Sequence, residues 1–220
     1  MNCFEMIRDE CKSAESIVVF SGAGLSAESG IPTYRDSEDP LWKTYDPEVY
    51  ASRTGLLENP EMVVNQYHTW REQLEDIEPN AAHFAIANNP KVTHITQNVD
   101  DLSERAGKKA IHLHGELMED RYDYEMEDLV RPSVVLFGEP LPADAWHEAC
   151  DAIEKCDMLI SVGTSLEVQP ACTLVSGVGG TKFRVHIDPE PRKRQTGGVW
   201  IQGTACEMLP RLLGGKEWNA

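Results

Sequence analysis

A glycine-bearing turn, Gly22-Ala23-Gly24, directly follows the apolar run SIVVFS and is itself followed by Ser26, Glu28 and Ser29. Glycines let a backbone approach a pyrophosphate closely, and N–H groups at a helix start point at the anion. Taken alone, the same GxG is equally a tight strand-to-helix turn. Gln97, Asn98 and Asp100 follow a second apolar run, KVTHIT. Short amides and a carboxylate at a strand end can hold sugar hydroxyls and an amide, although QNVD also reads as a helix-capping loop. His114 stands before Gly115. An imidazole, with an ordinary pKa of about 6.5, is substantially neutral near pH 7 and can accept a proton there. His94, His112 and His186 lie in or near apolar runs and read as core histidines. Gly163, Thr164 and Ser165 form a second small-residue turn after the run MLISV.

These residues need elements to position them. Short β-branched runs at Ser16 to Ser21, Lys91 to Thr96, Val134 to Phe137, Met158 to Val162 and Phe183 to Ile187 read as buried strands. Helical patterns lie between them at roughly Pro60 to Leu74, Asn80 to Asn88 and Ala143 to Lys155. Strands alternating with helices predict a doubly wound parallel α/β sheet of Rossmann-like type. In such a sheet ligands bind at the carboxyl ends of the strands, where strand order reverses. GAGLS, QNVDD and GTSLE all fall at such ends. Glu38 to Leu57, rich in turn formers and aromatics, reads as a long loop or small helical insertion over the site.

Read in full, GAGLSAESGIPTYRD resembles the nucleotide-binding signature of the sirtuin (Sir2) family. TQNVD at Thr96 to Asp100, HLHG at His112 to Gly115, GTSLEVQP at Gly163 to Pro170 and RPSVVLFGEPLP at Arg131 to Pro142 agree with it, in the family's order, from about Val18 to Leu212. The resemblance implies one catalytic domain over residues 1–220. Its large part would span about 13–37, 80–112 and 132–215, and a reduced small domain about 38–79 and 115–131. It also implies NAD as co-substrate: the acyl oxygen of a modified lysine attacks the nicotinamide ribose, and free lysine, nicotinamide and O-acyl-ADP-ribose result.

The resemblance assigns roles residue by residue. His114 deprotonates a ribose hydroxyl, Asn98 stands beside the reacting ribose, Asp100 lies on the nicotinamide, and Gln97 belongs to the cofactor-binding set. Gly22, Ala23, Gly24, Ser26, Glu28 and Thr33 belong to the nucleotide-binding signature. Arg35, otherwise an ordinary exposed cation, places the pyrophosphate and ribose, and Tyr34, where the family more often has phenylalanine, shields the reactive carbon from water. Gly163, Thr164 and Ser165 approach the adenosine. Asp188 stands where asparagine usually contacts the adenine ribose, and Ala205 lines the adenine pocket. Phe137, Gly138, Glu139 and Val168 fall where the substrate peptide is laid as an added strand.

Two departures matter. Sirtuins commonly hold a structural zinc with two CxxC pairs between the catalytic HG and the RP segment, whereas Glu116 to Val130 contains no cysteine. No metal ligand set and no zinc are therefore expected, and the small domain should close by packing of Leu117, Met118, Tyr122, Tyr124 and Leu129. The chain resembles a zinc-less variant near the bacterial, desuccinylase-like branch. Members that prefer succinyl or malonyl lysine carry an alanine and a YxxR pair that clamps the acyl carboxylate. Ala51 and Tyr67 fit, but the third position is Trp70, and Arg71, one residue on, is rotated by about 100°. A neutral acyl group, acetyl or somewhat larger, is expected, with a dicarboxylic group as the runner-up.

The formal charge of −17 argues against nucleic acid and anionic membrane partners. It suits lysine-rich substrates and equally an ordinary soluble surface. The N-terminus, MNCFEMIRDECKS, reads as neither signal peptide nor membrane span, and six cysteines without a CxxC suggest reduced thiols, so a cytoplasmic, monomeric enzyme is expected. Rival readings are an ADP-ribosyltransferase, an NAD-hydrolysing protein and an NAD sensor without turnover.

Overall fold

IVVFS, VTHIT and MLISV are dense in β-branched residues with no polar alternation, the pattern of strands covered on both faces. In the computed structural model, which describes residues 3–33, 45–176, 183–190 and 197–214, they are β1 (Ile17–Ser21), β2 (Val92–Thr96) and β6 (Met158–Val162). Both β1 and β6 are buried along their whole length. With β3 (Ala110–His112), β7 (Phe183–Asp188) and β8 (Val199–Gln202) they form a six-stranded, all-parallel sheet in the order β3-β2-β1-β6-β7-β8.

The chain runs outward from β1 through β2 to β3, then returns to the other side of β1 and runs outward again. The order therefore reverses between β1 and β6, the place where such sheets bind ligands.

The three expected helices form as Pro60–Glu75, Ala81–Ala87 and Ala143–Lys155. Asn59 and Asn80 cap the first two, accepting from the backbone N–H groups of Met62 and of Ala82 and His83. Helices Cys3–Ser13 and Ala205–Leu213 were not expected; their apolar faces, through Ile7, Cys11, Met208, Leu209 and Leu212, join one core cluster with β1, β6 and β7. A second cluster forms under Ala143–Lys155, through Ala149 and Ile153 against Val18, Phe20 and Leu159. Among the described residues no helix is long and apolar enough to cross a membrane.

Val134 to Phe137 is not a strand of the large sheet. The run that pairs is β5 (Val130–Val134), antiparallel to β4 (Gly115–Tyr122) in a separate two-stranded sheet. The chain then leaves this ladder, and Phe137 makes a single bridge to Ser52. The described part of the 38–57 stretch folds into two short helices, Pro47–Tyr50 and Arg53–Glu58, capped by Asp46 and Ser52.

Closure of this small region differs from expectation. Leu117, Met118 and Leu129 do join an apolar cluster with Leu56, Val63, Tyr67 and Leu136, but Tyr122 and Tyr124 are 69 % and 100 % exposed. An ionic cluster stands between the hairpin and the helical segment instead. Asp123 accepts from Arg53 (Nη2, 2.9 Å) and from Arg131 (Nε, 2.9 Å). Glu139 accepts from Arg131 and from Arg121 (2.6 Å).

Candidate active site

The first glycine turn continues β1 without a break. The Gly22 N–H donates to the Val162 carbonyl (3.2 Å) and the Gly24 N–H to the Gly163 carbonyl (2.9 Å), so the turns after β1 and β6 lock together at the reversal point. No side chain fits between them: a Cβ on Gly24 would lie 2.6 Å from the Gly163 Cα, and one on Gly163, at φ +59°, 2.5 Å from the Gly24 carbonyl carbon. Ala23 lies in the short 3₁₀ turn Ala23–Leu25, and Ser26 opens the next, Ala27–Ser29. The Ser29 hydroxyl oxygen is sealed from solvent and has no hydrogen-bond partner among the described residues.

This interlocked pair of turns suits a nucleotide, and it supports an expected result. Gly163→Ala should weaken NAD binding at least about tenfold, by titration calorimetry, because the methyl pushes the two turns apart. Undiminished affinity would mean that the turns do not form the nucleotide site.

Ser26 ties the second motif to the first. Fully buried, it donates to Asp100 Oδ2 (2.9 Å) and accepts from Asn98 Nδ2 (3.0 Å). Burial pushes the Asp100 carboxyl up, against the hydrogen bonds from Ser26 and the Leu102 N–H. Gln97 reaches across to Thr164 Oγ1 (2.8 Å) and the Ser21 carbonyl, bridging the ends of β1 and β6.

His114 follows β3, where the Leu113 N–H still pairs with the Thr96 carbonyl (2.9 Å). Gly115 turns the chain away at φ +77°, in a space where a Cβ would meet the Ser133 carbonyl oxygen. The imidazole Nδ1 lies 2.9 Å from the Gln97 carbonyl, which can only accept, so Nδ1 carries the proton and Nε2 the lone pair. Burial lowers the His114 pKa from its ordinary value, against the pull of that carbonyl. A neutral imidazole with a fixed tautomer is the form a general base needs.

The structure thus brings together Gly22, Ala23, Gly24, Ser26, Gln97, Asn98, Asp100, His114, Gly163 and Thr164. Glu28 turns elsewhere: its carboxylate accepts from the Cys206 N–H (3.1 Å) at the start of the last helix, where Thr204 is the cap. Thr33 is partly buried at the end of the first described stretch, and Ser165 is partly buried beside Leu166. Asp188 is buried at the carboxyl end of β7 and accepts from the Glu190 N–H (2.9 Å). Ala205 is buried in the core cluster under β7. Tyr34 and Arg35 lie outside the described residues.

On the other flank, Ala51 and Phe137 meet through the backbone, the Phe137 N–H donating to the Ala51 carbonyl (2.8 Å) and the Arg53 N–H to the Phe137 carbonyl (2.9 Å). Phe137 and Val168 are 56 % and 40 % exposed, apolar side chains open to a partner, and Gly138 beside them has φ +93°. The Glu139 carboxylate points inward to Arg121 and Arg131. Tyr67 and Trp70 stack edge to face, with centroids 4.9 Å apart. Arg71 is held elsewhere, on the Leu117 carbonyl (2.9 Å) and Asp120 (2.6 Å).

Sequence reasoning missed the residues behind Asn98. His112 is a core histidine, as expected, but its Nδ1 holds the Asn98 carbonyl (2.9 Å) while its Nε2 faces Glu104 (3.4 Å). Burial works against the His112 charge; Glu104 and that carbonyl outweigh it, and the pKa rises. No local signal marks Glu104, which lies on the four-residue helix Leu102–Arg105. Among the described residues, no group of three or more His, Cys, Asp or Glu side chains is placed to hold a metal ion.

Comparison with known proteins bears on the same blocks. The family model described as Sir2 family matches residues 22–123 and 119–170. A protein of Mycobacterium tuberculosis named NAD-dependent protein deacylase is 40 % identical over 90 % of this chain and 96 % of its own. One of Pseudomonas aeruginosa, NAD-dependent protein deacylase 1, is 39 % identical over 91 % and 94 %. The crystal structure of a Sir2 homolog–NAD complex superimposes with a TM-score of 0.84 at 34 % identity, over 96 % of this chain and 93 % of that one. A Sir2 structure holding a deacetylated peptide and 3′-O-acetyl-ADP-ribose gives 0.80 at 26 % identity, over 97 % and 98 %.

Proposed function

The chain belongs to the Sir2 family, and from that premise we propose that it is an NAD-dependent protein-lysine deacylase that removes neutral acyl groups and works without zinc. The observation that carries the reading is His114: part-buried, its pKa lowered, its tautomer set by the carbonyl of Gln97, whose side chain reaches the second glycine turn at Thr164.

Bound NAD supplies a ribosyl carbon with a good leaving group, nicotinamide, and an acceptor for the acyl oxygen. The residues of this chain do the rest. Gly22, Gly24 and Gly163 let the turns after β1 and β6 lock together, which fixes the backbone on which the pyrophosphate would rest. Asn98 and Asp100, held by Ser26, present amide and carboxyl groups in one fixed arrangement. His114 accepts a ribose hydroxyl proton at Nε2, and the imidazolium so formed is stabilised by the Gln97 carbonyl at Nδ1. Phe137 and Val168 offer an apolar edge to the peptide.

The neutral-acyl part rests on Trp70 and Arg71. With Arg71 bound to Leu117 and Asp120, no arginine of that helix faces Tyr67 to neutralise an acyl carboxylate. The zinc-free part rests on Glu116 to Val130, where Arg121 and a run of carboxylates stand and cysteines are lacking, and where Asp123 pairs with Arg131 just beyond.

The test follows nicotinamide release with and without acetyl-, butyryl-, crotonyl- and succinyl-lysine peptides. Release that requires a neutral acyl peptide, undiminished by a chelator, is the expected result. Release without any peptide points to a transferase or hydrolase, and NAD binding without release to a sensor. Faster turnover of the succinyl peptide would reject the neutral-acyl part alone.

A further inference from the structure

The helix Pro60–Glu75 carries an aromatic wall on the side that faces the segment around Ala51. Trp70 stands at its centre: Tyr67 meets it edge-on at 4.9 Å and Tyr45 at 5.7 Å, while Tyr45 also meets Tyr50 at 5.2 Å. Behind the wall lies the apolar cluster of Leu56, Val63 and Leu136, which Ile31 and Val99 join from the two nucleotide motifs.

Two polar atoms on this helix break the apolar pattern. Trp70 Nε1 and Gln66 Nε2 are both sealed from solvent, and neither has a hydrogen-bond partner among the described residues. They lie one turn apart, at i and i+4, and so on one face. Both are neutral donors. Buried N–H groups in native proteins are almost always satisfied, and leaving one unsatisfied is costly. A pair of orphaned donors within a single turn marks a place where an acceptor is brought in from outside.

The chemistry of that acceptor is constrained. An acyl carboxylate would find no free cation on that helix, since Arg71 is engaged by Leu117 and Asp120. A plain alkyl chain would fill the aromatic wall but leave the donors unmatched. An uncharged oxygen satisfies both demands. We infer that Trp70, with Gln66 beside it, selects short acyl groups bearing a hydroxyl or ketone oxygen beyond the amide carbonyl; this rests on the deacylase reading above.

The experiment compares 3-hydroxybutyryl- and acetoacetyl-lysine peptides with the butyryl-lysine peptide, which has the same chain length without the extra oxygen. For the wild-type protein kcat/KM should be about tenfold higher for the oxygenated chains, the size of one buried hydrogen bond made or lost. Trp70→Phe keeps an aromatic ring and removes the N–H, and the ratio should fall toward one. Gln66→Met should lower it in part, and provides a second reading should the first variant fold poorly. A wild-type ratio of one or less overturns the inference. So does a high ratio that survives both substitutions, because the preference then has another source. If butyryl and acetyl peptides are also untouched, the deacylase reading itself has failed and takes this inference with it.

Discussion

Replacing His114 by alanine is expected to lower kcat/KM for deacylation by about 10²–10⁴-fold, the usual worth of a positioned general base, with little change in stability. The side chain makes one described hydrogen bond, to a backbone carbonyl, so its loss removes the proton acceptor and little packing. The pH profile gives an independent reading. Only the neutral imidazole is a base, so the rate is lost as pH falls through the His114 pKa, and burial places that pKa below the ordinary value of about 6.5. The acid limb of the wild-type profile should therefore lie below pH 6.5, and the alanine variant should lack it. A variant that retains wild-type rates, or a limb well above that pH, would remove His114 from the role.

Such a test could be designed from the sequence because the residues concerned sit in contiguous blocks. Each motif combines a strand end with its chemistry, so the apolar runs SIVVFS, KVTHIT and MLISV placed both the sheet and the turns. The edge strands were not legible: Ala110–His112 and Val199–Gln202 are three and four residues long, too short for a periodic pattern to register. The apolar run Val134 to Phe137 reads as a strand of the large sheet, but the run that pairs is Val130–Val134, in a sheet of its own. Its partner proved to be the acidic strand Gly115–Tyr122, whose composition conceals its pairing.

The site shows the same boundary. Glycines, Gln97, Asn98 and His114 were readable, while Glu104 behind His112 was not, since a carboxylate that works through a second residue leaves no spacing of its own. Tyr122 and Tyr124 looked like packing residues because aromatics usually are. Their exposure shows that the hairpin solves its closure in another way.

That other way can be tested on Asp123. Its side chain and that of Arg131 are each 4 % exposed, Glu139 is 10 % and Arg53 14 %. Arg53 comes from the helical segment and the others from the hairpin and the stretch after it, so the cluster joins parts some 70 residues apart in sequence. Asp123→Ala leaves Arg53 and Arg131 without the carboxylate between them, and breaking a buried pair in this way costs about 3–5 kcal/mol. For a chain of this length that is a fall in Tm of roughly 6–20 °C.

The pH dependence separates this loss from simple loss of packing. The Arg53 guanidinium, with Arg131 behind it, holds the Asp123 carboxyl down at about 2, from an ordinary 3.8. A carboxyl whose folded pKa is depressed contributes stability above its unfolded value and loses it as pH falls toward the folded one. Burial also lowers His83 to about 4 and His94 to about 3, so the folded protein weakens as pH falls below 6.5 whatever happens at Asp123. Taking the difference between wild type and variant cancels the histidines. Urea unfolding of the two proteins should show a constant gap from pH 7 to about 4.5, narrowing between 3.8 and 2. In a double-mutant cycle Asp123→Ala and Arg131→Met should cost less together than the sum of each alone. Additive losses with a gap that ignores pH would show the cluster to be a set of independent surface charges.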